Sequence, residues 1–182
     1  LQQQEIKVTT APACNARSVV EYVFAAFAYL QQHLEMDISK KTLGIVGLGN
    51  VGYLLAQVAT QLGFKVIGCD PFVQRNELVQ LSLDCLLAEA DIVCLHTPLT
   101  KSGPYPTHHL ISSHNLKQLK QSAILLNAGR GAVVDNKALL SFLESKPDHL
   151  AAVVLDVWEM EPAINPDLVA KVDIATPHIA GY

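Results

Sequence analysis

The sequence predicts an α/β domain built on a doubly wound parallel sheet, and three observations carry the prediction. From Thr42 onward, short apolar runs alternate with stretches patterned like helices. Runs such as Ile124-Leu125-Leu126 and Val153-Val154-Leu155 are apolar at every position, as in strands covered on both faces. The first run leads directly into Gly47-Leu48-Gly49-Asn50-Val51-Gly52, a glycine-rich turn that opens a helical pattern.

Taken in order, residues 6–10 read as a short strand that stops at Pro12. Between Asn15 and about Leu34, Val19, Val20, Val23, Phe24, Phe27 and Leu30 recur at helical spacing, with Asn15 as the expected N-cap. Strands are expected at 43–46, 65–69, 91–95, 123–126, 152–155 and 173–175. Helices are expected near 51–62, 83–89, 113–119, 136–144 and 166–171. The one long irregular stretch, 97–111, carries Pro98, Gly103, Pro104 and Pro106 and follows the C-terminal end of a strand. Ligands bind at that edge of such sheets, so this loop is an expected wall of the site.

Composition narrows the function. Half of the 182 residues are hydrophobic and 16% are charged, which fits a packed domain and not a disordered chain. A net charge of −4 and three arginines (Arg17, Arg75 and Arg130) disfavour a nucleic-acid surface. No apolar run reaches about 18 residues, so neither a membrane span nor secretion is expected, and the cytoplasm is. Cys14, Cys69, Cys85 and Cys94 lack metal-binding spacing and read as reduced thiols.

In the glycine turn, Gly47 permits the bend, Gly49 lets the backbone approach a pyrophosphate, and Gly52 lets the helix pack closely. The phosphates would sit on free N–H groups at the helix start, near Asn50 and Val51. Asp70 lies 18 residues beyond Gly52, where a carboxylate accepts hydrogen bonds from a ribose diol. Its charge repels a 2′-phosphate, so NAD is expected over NADP. Three further residues fall at strand ends or just beyond: Arg130, between Gly129 and Gly131, then Glu161, then His178. A guanidinium can hold a 2-oxo acid at two points, and an imidazole can take a hydroxyl proton. Glu161 would orient that imidazole, with Glu159 as the rival carboxylate. Asp156 is expected on the nicotinamide side. His33, His114 and His149 read as structural, and the adjacent pair His108-His109 as no metal site.

Together these residues resemble the D-isomer-specific 2-hydroxyacid dehydrogenase family, from about Ala11 to Tyr182. Within it, Pro12-Ala13-Cys14-Asn15-Ala16, His96-Thr97-Pro98-Leu99-Thr100 and Pro177-His178-Ile179-Ala180-Gly181-Tyr182 are similar to the branch of pyridoxal phosphate (vitamin B6) synthesis. The resemblance implies that Arg130, Glu161 and His178 are catalytic. It places Gly47, Gly49, Asn50, Val51, Gly52, Asp70, Thr97, Ala128, Gly129, Arg130, Asp156 and Gly181 on NAD, and Tyr182 on substrate. The implied reaction is oxidation of 4-phospho-D-erythronate to 3-hydroxy-2-oxo-4-phosphooxybutanoate, in a homodimer. Another 2-hydroxyacid dehydrogenase, such as one acting on phosphoglycerate, and a non-catalytic NAD(H)-sensing module are the alternatives. Tyr53 stands where the family often has arginine, and Phe72-Val73 where Pro-Arg is common, so adenosine-side contacts are expected to differ. Residues 1–12 read as the end of a substrate domain and its crossover, and 13–182 as the NAD-binding domain. The chain begins with Leu1, which reads as a piece of a longer protein.

Overall fold

The computed structural model describes residues 9–35 and 37–182. Most of the strand expected at 6–10, and of the substrate-domain end expected at 1–12, lies outside the described residues; Thr9 and Thr10 are irregular.

Seven parallel strands form one sheet in the order β3-β2-β1-β4-β5-β6-β7. They are β1 (Thr42–Val46), β2 (Lys65–Cys69), β3 (Val79–Gln80), β4 (Ile92–Leu95), β5 (Ala123–Asn127), β6 (Leu150–Leu155) and β7 (Ile174–Ala175). The helices are α1 (Ala16–Leu34), α2 (Asn50–Gln61), α3 (Leu83–Glu89), α4 (Asn136–Ser145) and α5 (Pro166–Val169). The chain leaves β1 toward β2 and β3, then returns to the other side of β1 with β4. The crevice at that reversal is where such sheets hold ligands.

Both faces are covered, as the apolar strands require. Leu43, Ile45, Ile124 and Leu126 face a cluster with Val23, Phe27 and Leu30 of α1 and Leu55 and Ala59 of α2. Alternate residues, among them Val46, Ala123 and Leu125, face the other cluster with Leu86, Leu139 and Leu168. The period-two alternation of side chains sends each strand into both cores.

Two expectations need correction, and one strand is additional to them. The helix expected at 113–119 is a single 3₁₀ turn, Leu116–Gln118. Asn115 explains it: its Oδ1 accepts from Ser112 N–H and its Nδ2 donates to Leu110 C=O, local bonds that compete with a helix. Asn15 stands at the N-cap position of α1 but makes no side-chain capping bond; it lines the cleft described below. Strand β3 went unforeseen because two residues show no period.

Candidate active site

The site forms at the C-terminal edge of the sheet, where the segments after β1, β4, β5, β6 and β7 surround a cleft of about 500 Å³. Each glycine of the turn after β1 has its own steric reason. Gly47 has φ +92, and a Cβ there would lie 2.9 Å from His96 C=O. A Cβ on Gly52 would lie 1.9 Å from Gly47 C=O, so the first turn of α2 packs this close to the end of β1 only with glycine at that position. A Cβ on Gly49 would meet nothing within 4 Å. It would project into open space beside the start of α2, whose N-cap offers no side-chain acceptor. The helix's first N–H groups are thus left for an anion.

Asp70 grips that turn. Its Oδ2 accepts from Leu48 N–H at 2.8 Å, and its Oδ1 accepts from Phe72 and Val73 N–H. A carboxylate offers about four acceptor positions, so about one remains for a ribose hydroxyl rather than a free pair. The sequence did not single out Arg75 here. Its Nη2 donates to Leu48 C=O at 3.3 Å, and its guanidinium lies 3.9 Å over the Tyr53 ring. A cation absent from positions 53 and 73 is thereby supplied from position 75, with Tyr53 as its platform and Glu77 bonded to the Tyr53 hydroxyl. Phe72 and Tyr105 meet edge to face at 5.4 Å and join the 97–111 loop to the end of β2.

On the opposite side, the expected trio converges. His178 Nδ1 lies 2.9 Å from Glu161 Oε2, while Glu161 Oε1 accepts from Trp158 N–H at 2.6 Å. One carboxylate is thus fixed by the backbone and orients the ring. The ring's Nε2 has no hydrogen-bond partner among the described residues, and His178 lines the cleft. Its backbone is left-handed, φ +59, and its N–H donates to Asp156 C=O at 2.7 Å. Arg130 lines the same cleft and folds its Nη1 onto Gly129 C=O at 2.7 Å. It makes no ion pair among the described residues. Gly131 explains how Arg130 comes so near the Glu161 segment: a Cβ there would lie 1.9 Å from Trp158 C=O.

Asp156, 1% exposed, lines the cleft. Its Oδ1 accepts from the Thr176 hydroxyl and Ile179 N–H, and its Oδ2 from Ala180 N–H, so it first of all shapes the segment bearing His178. Val51, Thr97, Ala128, Gly129, Gly181 and Tyr182 also line the cleft. Glu159 lies apart from this pair: its Oε1 is 2.7 Å from His109 Nε2 instead. His33 and His149 bond to backbone carbonyls. His96 was not foreseen at the site. It lines the cleft with a buried, unpartnered Nε2, and burial pushes its pKa down to about 4. Thr97 Oγ1 beside it is likewise buried without a partner. Two orphaned polar atoms, the open space beside Gly49 and the helix N–H groups at the start of α2 fit a dinucleotide.

Comparison with known proteins identifies the family. Residues 18–180 match the model of the D-isomer specific 2-hydroxyacid dehydrogenase, NAD binding domain. The chain belongs to this family. Among curated relatives it is 52% identical over 184 residues to the erythronate-4-phosphate dehydrogenase of Edwardsiella ictaluri, and 50% identical to that of Proteus mirabilis. In both cases the match covers all of this chain and 48% of the relative, so the chain spans about half their length. Among solved structures, D-lactate dehydrogenase with NAD+ from Lactobacillus jensenii superposes with a TM-score of 0.86 at 30% identity, covering 100% of this chain and 64% of that one. The Aquifex aeolicus D-lactate dehydrogenase complexed with NAD and lactic acid gives 0.84 at 29%, covering 100% and 65%. As an NAD-binding domain of this family, the chain has a seven-stranded parallel sheet that presents its turn, Asp70 and trio along one edge.

Proposed function

We propose that this chain is the NAD-binding half of an enzyme that oxidises 4-phospho-D-erythronate to 3-hydroxy-2-oxo-4-phosphooxybutanoate, a step in pyridoxal phosphate synthesis. The observation that carries the reading is the Glu161–His178 pair beside Arg130 on the cofactor cleft. The 45–52% identity to erythronate-4-phosphate dehydrogenases supports the choice of substrate. NAD supplies a hydride acceptor when bound. Gly47, Gly49, Asn50, Val51 and Gly52 hold its pyrophosphate, and Asp70 its adenosine ribose. Thr97, Ala128, Gly129, Asp156 and Gly181 line the way to the nicotinamide.

The chain's residues then handle the charge and the proton. Arg130 binds the substrate carboxylate and the oxygen that becomes a carbonyl, through a fork that lysine lacks. His178 takes the hydroxyl proton on Nε2 as the carbon that bears that hydroxyl gives up its hydride and becomes the carbonyl carbon. Glu161 on Nδ1 fixes the ring and stabilises the imidazolium that forms. Tyr182 contacts substrate at the rim. The four cysteines are free, which supports a reducing compartment such as the cytoplasm as the enzyme's location. Among the described residues no helix is long and apolar enough to cross a membrane. The family resemblance supports a homodimer, which sedimentation of the complete protein tests.

The deciding experiment is turnover by the complete protein with 4-phosphoerythronate against 3-phosphoglycerate, followed as NADH. His178→Ala is expected to lower kcat by about 10²–10⁴-fold, the usual worth of general acid–base catalysis. Undiminished turnover in that variant refutes the role, and preference for 3-phosphoglycerate refutes the substrate.

A further inference from the structure

Between the 97–111 loop and the turn that carries Glu161, the structure gathers a group of side chains that hydride transfer does not use. The His108 and His109 rings stack with centroids 3.9 Å apart. Glu159, fifty residues further along, places Oε1 2.7 Å from His109 Nε2. One ligating atom from each of the three lies within 4.8 Å of the other two. Behind them, Asp135 Oδ2 stands 3.7 Å from His109 Nδ1. None of these residues lines the cofactor cleft.

We propose that His108, His109 and Glu159 form a binding site for a divalent transition metal ion of the zinc class, with Asp135 orienting His109 from behind. Two imidazoles and one carboxylate are a donor set that zinc accepts, and three protein ligands leave a fourth position to water. A ligating histidine characteristically donates its other ring N–H to a carboxylate, and Asp135 is placed on that side. An ordinary histidine–glutamate ion pair needs neither the second imidazole nor the second carboxylate. Ligand atoms on a tetrahedral zinc ion lie roughly 3.3 Å apart, from bond lengths of about 2.0–2.1 Å. The cluster reaches that spacing when the His109–Glu159 gap opens slightly and His108 turns inward out of its stack. The hydrogen now shared by His109 Nε2 and Glu159 leaves to solvent, and the metal takes its place.

The adjacent histidines lack the one-face helical spacing of familiar zinc motifs, which is why the sequence pointed away from a metal here. The fold supplies what spacing did not. His109 adopts a left-handed backbone, φ +54, and its N–H is tied to Ala132 C=O at 2.8 Å, which fixes the pair beside the Glu159 turn. Glu159 is fixed in turn, its N–H donating to Asn136 Oδ1 and its Oε2 accepting from Asn136 N–H. A bound ion would therefore bridge the loop to the segment leading to Glu161.

The test is calorimetric titration of the metal-free protein with zinc chloride. One zinc per chain is expected, weakened at least about tenfold by His108→Ala, His109→Ala or Glu159→Gln, and about tenfold by Asp135→Asn. Magnesium is expected not to bind, since it prefers oxygen ligands. Cys14 and Cys85 are exposed, so cobalt(II) serves as a second probe: the site predicts visible bands without the thiolate charge-transfer band. Zinc should also raise the Tm of the wild type by more than that of His108→Ala at the same zinc concentration. Absence of one-to-one zinc binding, equal binding in all three ligand variants, binding of magnesium as tight as zinc, or a thiolate band overturns the proposal. None of these measurements depends on dehydrogenase activity, so the proposed function stands or falls separately.

Discussion

His96 follows β4 at the wall of the cleft with its Nε2 buried and unpartnered, a position at which charge is costly. Burial pushes its pKa from an ordinary 6.5 down to about 4. The unfolded chain therefore takes up a proton here at a higher pH than the folded one. Between about pH 6.5 and 4 the unfolded state binds more protons, so stability is fully present above 6.5 and falls as the pH drops toward 4. The gap corresponds to at most about 3 kcal/mol. Urea unfolding across this range should show a steeper acid loss in the wild type than in His96→Gln; parallel curves would show that His96 carries no such linkage. At the same scale, Asp70 and Asp156 show why residue roles read from sequence were incomplete. Both were expected on the cofactor, yet each first binds backbone N–H groups of the loop it supports. A carboxylate at a strand end looks the same in a sequence whether it faces a ligand or the chain's own amides.

The junction of β1 and α2 decides whether the cofactor can sit at all. A methyl group on Gly52 would overlap Gly47 C=O at 1.9 Å, so α2 would have to retreat from the strand. Gly52→Ala is expected to cost about 1–3 kcal/mol of stability, as overpacking does, and to weaken NAD binding by displacing the N–H groups of the first turn. Chemical denaturation and calorimetry check both, and unchanged affinity would refute the placement of the pyrophosphate. Elements such as this were legible because their cause is local. The apolar strands, the glycine turn and the α1 stripe through Val23, Phe27 and Leu30 announce themselves within a few residues. Where the cause is a distant or side-chain partner, the sequence was silent. The 113–119 segment yielded to Asn115, Asn15 turned toward the cleft, and Arg75 reached the glycine turn at Leu48 C=O while stacked over Tyr53. Glu159 found His109 across 50 residues, leaving Glu161 to His178.

Across the whole molecule, the reacting side of the cleft is the open side. Tyr182 is 96% exposed and Met160 76%, and Ile179 is also exposed, all within a few residues of His178 or Glu161. Apolar side chains grouped at the rim of a site mark a surface made to be covered. The cofactor wall, by contrast, is built from this chain's own strand ends and loops. The two ligands should therefore separate experimentally. The 182 residues alone are expected to bind NAD, with Gly49 and the start of α2 supplying the phosphate contacts, but to turn over 4-phosphoerythronate poorly. Substrate held by one wall loses the orientation that hydride transfer needs, and effective molarities show that poor positioning can cost many orders of magnitude. Calorimetry with NAD and a stopped assay for NADH on the same preparation measure the two properties side by side. Turnover by these residues equal to that of the complete protein would mean that Arg130, His178 and Tyr182 hold the substrate without help, and that the exposed rim serves another purpose.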